Sequence, residues 1–234
     1  MDKNSWVVKL KQDIIELNQL REILVTKNPT YPFLYQTIED ALYSMACLLA
    51  YIEEKNPYLL GFREDYFLNR NVQMHTCFIA DLHKNTETGL IELITNQKFH
   101  CINSLESRVN SIITRLQEKV KDNLSIASEL SDIRKFAIKQ PSFSDRLECI
   151  FKNINGLNRD YVGGARIYFN GISKMRNSVS HPNRIFTEHE IAVLKRAKLG
   201  KAVNKDGNLC MTFEGYRYLL LDVINFFDTL YANL

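Results

Sequence analysis

Residues 35–54 read YQTIEDALYSMACLLAYIEE, and the spacing of the apolar side chains in this stretch decides the fold class. Those side chains recur at alternating intervals of four and three residues: Ile38, Leu42, Met45, Leu49 and Ile52. On an α-helix these intervals align the side chains along one face, whereas a strand would need every second residue to be apolar. The stretch therefore predicts an amphipathic helix, which Asn56-Pro57 ends because proline cannot continue it.

The same helical spacing recurs along most of the chain, between prolines 29, 32, 57, 141 and 182. Further helical stretches are predicted at residues 8–20, 62–84, 90–117, 125–139, 145–154, 165–181 and 187–198, and from about residue 215 to the C-terminus. A turn is predicted at residues 204–208 and a brief extended piece at 209–213. Since no series of alternating strands is present, we expect an all-α fold.

Polar and glycine-containing segments predict where helices begin and end. Residues 85–89 and the pair Gly163-Gly164 are expected to interrupt helices. Ser144 is a candidate N-cap, and Thr187 with the glutamate three residues later matches a capping box. A seam within residues 85–97 predicts two parts, an N-terminal helical region at 1–90 and a helical bundle at 91–234.

Composition narrows the class of protein. The chain has 234 residues, of which 45% are hydrophobic and 24% are charged, as in ordinary globular proteins. Its cysteines are too scattered for a metal knuckle or a CxxC redox pair, and no phosphate loop is present, so neither a metal nor a cofactor is expected. The first residues, MDKNSW, lack the apolar core of a signal peptide, and the longest uncharged apolar run, residues 41–52, is too short to cross a bilayer. We expect a cytoplasmic protein without a membrane partner.

Positive charge is concentrated in one segment of the chain. Residues 172–205 contain eight Lys/Arg and two Glu, whereas residues 1–171 contain 21 of each sign. Such a segment attracts phosphates, although it is equally typical of a solvated helix face. It surrounds the sequence RNSVSHP, residues 176–182.

The segment RNSVSHP combines side chains suited to phosphate chemistry. Asn177 and His181 are four residues apart and share one face of a helix, and Arg176 flanks them. Arginine provides a permanent planar cation, histidine exchanges a proton near neutral pH, and asparagine can orient either of them. His181 is in the last turn, before Pro182 stops the helix, and there the helix dipole favours the protonated form of a histidine.

Arg176, Asn177 and His181 resemble the signature of the HEPN superfamily, an arginine, a polar residue and a histidine near the end of a bundle helix. The resemblance covers roughly residues 97–234 and implies a HEPN-like helical bundle with additional N-terminal helices. It further implies a metal-independent endoribonuclease of a defence or toxin–antitoxin type. Ser178, Ser180, Lys174 and Arg184 would then contact the substrate.

The family resemblance also implies a reaction. The ribose 2′-hydroxyl would attack the adjacent phosphate, His181 would act as general acid or base, and Arg176 would stabilise the phosphate charge, leaving 2′,3′-cyclic phosphate and 5′-hydroxyl ends. RNA or a nucleotide is the expected ligand. Members of the family commonly pair two motif helices in a homodimer, and some are held inactive by an antitoxin partner.

Two alternatives to a nuclease stay open at the level of sequence. The same basic surface fits a non-catalytic module that binds a nucleotide, RNA or a protein, and the chain is also compatible with a structural helical protein. In a purely structural interpretation, Arg176 pairs with an acid and His181 caps its own helix. Candidate acids for orienting Arg176 are Glu118, Glu129 and Asp132, each more typical of a solvent-facing position.

A second run, Arg70-Asn71-Val72-Gln73-Met74-His75, repeats the spacing of the motif. No proline follows it, so His75 is expected to lie within a helix, and we interpret the match as a coincidence or a structural pair. The other histidines are expected to be either surface residues or satisfied structural ones (His83 and His100) or solvated in the first turn of a helix (His189).

Overall fold

The structure, a computed structural model, describes residues 3–27, 31–53, 64–101, 104–119, 126, 141–179 and 185–234. Those residues form eight α-helices: α1 Lys3–Thr26, α2 Pro32–Glu53, α3 Glu64–Asn96, α4 Ser104–Lys119, α5 Phe143–Asn153, α6 Arg159–Val179, α7 Glu188–Arg196 and α8 Phe213–Ala232. A short 3₁₀ helix, Gly200–Ala202, follows α7, and Val203 and Leu209 form an isolated antiparallel bridge around the predicted turn. The all-α prediction is confirmed for the described residues. The predicted helix at 125–139 lies almost entirely outside them.

The chain divides into two compact units. Residues 1–89 and 156–234 form the first unit, and residues 90–155 form the second. The sequence predicts an N-terminal helical region at 1–90 and a bundle at 91–234, and that division stays a prediction. Helices α6 and α8 bury apolar side chains in the same compact unit as α2, through contacts between residues far apart in sequence.

Helix α3 continues through residues 85–89, so the predicted interruption there is wrong. Thr86 is buried and donates its hydroxyl to the carbonyl of Leu82, at 2.6 Å. Asn85 donates from its side-chain amide to Oγ1 of Thr37 on α2, at 2.8 Å. These polar side chains are satisfied inside the protein instead of marking a loop, which is why polarity alone misleads at this position.

Gly89 explains why a glycine stands within α3. A Cβ placed at this position would lie 2.4–2.7 Å from three ring atoms of Phe33 on α2. The Phe33 ring is itself buried and lies 4.7 Å from the ring of Phe227 on α8, measured between centroids. The missing side chain therefore lets α2 and α3 approach each other, and the glycine is a packing residue.

The pair Gly163-Gly164 also lies inside a helix, against the prediction of a break. Helix α6 begins at Arg159, four residues before the pair. In the preceding turn, Oδ1 of Asn158 accepts a hydrogen bond from the backbone NH of Asp160, at 2.8 Å. A Cβ at Gly163 or Gly164 would meet nothing within 4 Å, so both positions border open space.

Side-chain caps set the beginning of three helices. The predicted capping box of Thr187 and Glu190 at α7 is confirmed. At α5 the cap is Ser142, paired with Asp145, and the prediction of Ser144 is wrong by two residues. Thr212 caps α8 by accepting a hydrogen bond from the backbone NH of Gly215 at 3.2 Å, close to the predicted start.

The core of the first unit is rich in aromatic side chains. Tyr31 packs against Phe33 and Phe227, with centroid distances of 6.0 and 5.9 Å. Its hydroxyl donates a 2.6 Å hydrogen bond to Asp228, which also pairs with Lys27. The apolar side chains of α1 do not all face inward: Val8 and Ile15 are exposed, whereas the buried ones are Trp6, Leu10, Leu17, Leu20 and Leu24.

None of the described helices combines the length and the apolarity needed to cross a bilayer.

The two glycine positions predict opposite effects of one substitution. Gly89→Ala should lower the free energy of unfolding by about 1–3 kcal/mol, because its Cβ overlaps a ring that its own neighbours hold in place. Gly163→Ala should raise it by about 0.5–1 kcal/mol, because alanine is the better helix former and the position is open. Urea unfolding monitored by circular dichroism measures both. Equal effects of the two substitutions would contradict the packing role of Gly89.

Candidate functional site

The candidate site lies at the C-terminal end of α6. The structure describes Lys174, Arg176, Asn177 and Ser178 of the predicted set. Ser180, His181 and Arg184 lie outside the described residues, as does Pro182. Of the three motif residues, the structure therefore describes Arg176 and Asn177.

Arg176 and Asn177 are both exposed in the last turn of α6. Nη1 of Arg176 donates a hydrogen bond to the side-chain oxygen of Asn177, at 3.2 Å. A guanidinium has five N–H donors, and this contact uses one of them to orient the group. The pair presents a positive, planar, hydrogen-bonding group at the protein surface, which suits a phosphate.

The other two described candidates are less accessible. Ser178 is only 7% exposed, so it does not share the surface on which Arg176 and Asn177 lie. Nζ of Lys174 lies 3.9 Å from Oε1 of Glu190, the residue that completes the capping box of α7. Lys174 therefore connects α6 with α7, and its charge is partly balanced inside the protein.

A histidine from a different helix lies beside the motif. His83 of α3 is buried, and its Nε2 is 3.0 Å from Oγ of Ser173 on α6, a hydrogen-bonding distance. Burial lowers the pKa of His83; Glu87 opposes this effect, and Arg176 adds to it. His83, Glu87 and Arg176 therefore lie close to one another, in a region to which both α3 and α6 contribute.

Nothing in the sequence links His83 to the motif. The sequence predicts either a surface residue or a satisfied structural histidine, and the hydrogen bond to Ser173 agrees with the second of these. The spacing of His83 and Glu87 places both on one face of α3, which was the available signal. Their neighbour on α6 cannot be found from that spacing, because 90 residues separate His83 from Ser173.

The second copy of the motif ends in the protein core. His75 is 1% exposed, and its ring packs against Phe78 and Phe213, each with a centroid distance of 5.7 Å. Neither of its ring nitrogens has a hydrogen-bond partner in the structure. Burial, with a smaller contribution from Lys9, lowers the pKa of His75 to about 4, so the imidazole is neutral at pH 7. The side chains of Arg70 and Asn71 lie outside the description.

The remaining sequence candidates are surface residues or are not described. His100, His189 and Glu118 are exposed. Glu129 and Asp132 lie outside the described residues, so their predicted role in orienting Arg176 stays a prediction. Glu87 is the acid whose charge acts, together with that of Arg176, on His83.

No group of three His, Cys, Asp or Glu side chains is arranged to hold a metal ion in the part of the chain that the structure describes. No known protein family, curated protein or solved structure matches this chain. A HEPN assignment therefore stays a prediction from the motif residues in the sequence.

The contact between His83 and Ser173 predicts an energetic coupling of α3 to the motif helix. In a double-mutant cycle of His83→Leu and Ser173→Ala, we expect a coupling energy of about 1 kcal/mol, the usual contribution of a hydrogen bond. The control pairs His83→Leu with Thr26→Ala, since Thr26 bonds the carbonyl of Ile23 and shares no partner with His83. Additive effects in both cycles would show that the hydrogen bond contributes nothing.

The buried His75 predicts a loss of stability in acid. The unfolded chain binds a proton at this histidine near its ordinary pKa of 6.5, and the folded chain only near 4. Stability is therefore lost as the pH falls through this window, by about 2 kcal/mol between pH 7 and pH 5.

His75→Leu should remove that loss, whereas the exposed control His100→Gln should keep it. The raised pKa of Asp13 acts in the opposite sense and is common to all three proteins, so it cancels in the comparison. Urea unfolding at both pH values measures the difference, and an unchanged slope in His75→Leu would contradict the assignment.

Proposed function

We propose that this protein is a metal-independent endoribonuclease whose active site is formed by Arg176, Asn177 and His181. The observation that carries the proposal is the exposed, hydrogen-bonded pair of Arg176 and Asn177 in the last described turn of α6. The sequence places His181 four residues after Asn177, and the surrounding segment carries the positive excess of the chain.

The proposed reaction assigns one task to each residue. Arg176 binds the phosphate and stabilises the charge that builds up on it, because a guanidinium donates two parallel hydrogen bonds to phosphate oxygens. His181 transfers a proton as the 2′-hydroxyl attacks. Asn177 holds the guanidinium in position. The products are a 2′,3′-cyclic phosphate and a 5′-hydroxyl, and the chemistry needs no metal.

The HEPN resemblance extends the proposal to fold and partners. A HEPN-like bundle would place two motif helices together in a homodimer, so that a composite cleft contains two arginines and two histidines. An activity of this kind belongs to toxin–antitoxin or phage-defence systems, in which an antitoxin restrains it. Ser180, Arg184 and Lys174 would contribute to RNA binding on the same surface, and we expect the protein to act in the cytoplasm.

A second candidate function is a non-catalytic module that binds a nucleotide, RNA or a protein partner. Two observations favour it: Lys174 pairs with Glu190 inside the protein, and Ser178 is buried. These side chains support the helix end instead of facing a substrate. In this case the basic surface binds its ligand without cleaving it.

The test is incubation of the purified protein with a mixed pool of tRNA and mRNA in excess EDTA, followed by analysis of the RNA ends. We expect cleavage that leaves cyclic-phosphate ends. Arg176→Ala and His181→Ala should each lower the rate about a hundredfold or more, the usual loss for a charge-stabilising group or a general acid–base.

Matched controls come from the same region of the chain. Arg159→Ala removes an exposed arginine at the opposite end of α6, and His189→Ala removes an exposed histidine from α7. Both should retain native activity, and the melting temperatures of all four variants should agree with that of the native protein. A folded native protein that binds RNA without cutting it would support the second candidate, and one that does neither would contradict both.

A further inference from the structure

A groove of about 880 Å³ lies between α6 and α8 in the first unit, away from the motif end of α6. The two helices run antiparallel along it. The hydroxyl of Tyr161, near the start of α6, donates to the carbonyl of Phe226 at 3.4 Å, and the rings of Phe169 and Phe226 lie 4.6 Å apart between centroids. The segment 196–202 closes one end. This volume is within the range of small-molecule sites.

Glycines shape the groove. Gly164 lies on its wall, and a Cβ there would meet nothing within 4 Å, so the space above this position is open. Gly171, further along α6, has the opposite surroundings, because a Cβ there would lie 2.8 Å from the side chain of Ala197 and 2.9 Å from that of Leu199. Gly171 thus allows the segment after α7 to pack close to α6, and Gly164 leaves the groove open.

One end of the groove is positively charged. Arg196, Lys198 and Lys201 are exposed and line this end, and none of them takes part in an ion pair among the described residues. The amino end of α8, with its cap Thr212, lines the groove as well. It adds backbone NH groups that are not bonded within the helix, so the end of the groove favours an anion.

Lys198 is unusual in its backbone. Its φ of 61° lies in the left-handed region, and its NH bonds the carbonyl of Lys195 at the end of α7. Glycine is the usual residue at such a helix end, because a side chain is strained there. A glycine at position 198 would form the same backbone hydrogen bond without strain, so this hydrogen bond does not explain why a lysine is found here.

The middle of the groove is aromatic and its far end is polar. Tyr168, Phe169, Tyr218 and Phe226 provide the aromatic surface. The hydroxyl of Tyr168 is buried near the Asp222 carboxylate but does not reach it with normal hydrogen-bond geometry. Burial and the neighbouring Asp222 carboxylate raise the pKa of Tyr168, so it stays a donor at neutral pH.

Acidic and neutral polar side chains complete the lining. Asn225 and Thr229 follow Asp222 on α8 and offer hydrogen bonds beyond the aromatic middle. Of the two acids in the lining, Glu214 lies in the first turn of α8 and Asp222 about two turns further along the helix. A ligand that suits this lining has a negative group at one end, a flat ring in the middle and hydrogen-bonding edges.

We propose that the groove binds a nucleoside phosphate, with its phosphate at Arg196, Lys198 and Lys201 and its base against the aromatic side chains. The base stacks on the ring of Tyr218, which is 54% exposed, an interaction that every nucleobase can make. Asp222 and Asn225 then bond the amino group of the base or the ribose hydroxyls. The site is independent of Arg176 and His181, so it does not require the proposed ribonuclease activity.

The test is isothermal titration of the full chain with AMP, beside adenosine and inorganic phosphate as separate ligands. We expect saturable binding of AMP that is at least about tenfold tighter than that of either part, because the phosphate and the base occupy different ends of the groove. Equal affinity for adenosine and AMP would overturn the role of the cationic end, and an absence of saturable AMP binding would overturn the site.

Two pairs of variants localise the binding. Gly164→Leu places a side chain in the groove and should weaken AMP binding by at least about tenfold, whereas Gly163→Leu, which also borders open space but does not line the groove, should leave binding unchanged. Lys198→Gly removes a cation while relieving the positive φ, so the protein stays folded and AMP binding falls about tenfold. Lys205→Gln removes an exposed lysine outside the groove and is its control. Native binding by Gly164→Leu would overturn the proposal.

A competition experiment distinguishes binding of a free nucleotide from binding of the end of an RNA chain. Competition of a short single-stranded RNA for the bound AMP would show that the groove receives a nucleotide of RNA, and failure to compete would show that it binds the free nucleotide. The double variant Arg176→Ala/His181→Ala should bind AMP as the native protein does. Loss of AMP binding in this variant would contradict a separate site, whatever its effect on RNA cleavage.

Discussion

The ring of Phe33 fills the space that Gly89 leaves on α3 and packs against Phe227 of α8, so three helices from distant parts of the sequence meet at one side chain. The neighbouring Tyr31 extends this contact. Its ring lies against Phe227, and its hydroxyl bonds Asp228. The aromatic contacts are less directional than the hydrogen bond, which pairs Tyr31, just before α2, with one turn of α8. The position of α6 depends on this junction, because α6 packs on α8 through Phe169 and Phe226.

Helix α6 carries two surfaces with different chemistry. Its first half borders an aromatic groove with a cationic end, and its last turn presents Arg176 and Asn177. Between them, Gly171 allows the chain after α7 to pack directly on the helix. A side chain at that position would push the segment 196–202 away and separate its cations from α8. One small residue thus shapes the groove without belonging to the motif.

The histidines show how burial changes the meaning of a residue type. His75 completes a motif in the sequence but lies among aromatic rings, where its nitrogens have no partner and its charge is disfavoured. His83 belongs to no motif and yet lies beside the motif helix, held by Ser173. The basic residues divide in a similar way: Lys174 is engaged with Glu190, while Lys198 and Lys201 surround a groove. A count of charges along the chain does not distinguish these situations.

The sequence by itself determined the features that depend on near neighbours. The spacing of apolar residues predicted the all-α class, and the capping box at Thr187 predicted the start of α7, because both result from contacts three or four residues apart. The motif at Arg176 and Asn177 was also visible as a local pattern. Tertiary structure alone decided the continuity of α3 past Thr86, the burial of His75, the approach of His83 to Ser173 and the groove between α6 and α8. Each of these depends on partners that are distant in sequence, and a periodic pattern gives the face of a helix but not what that face contacts.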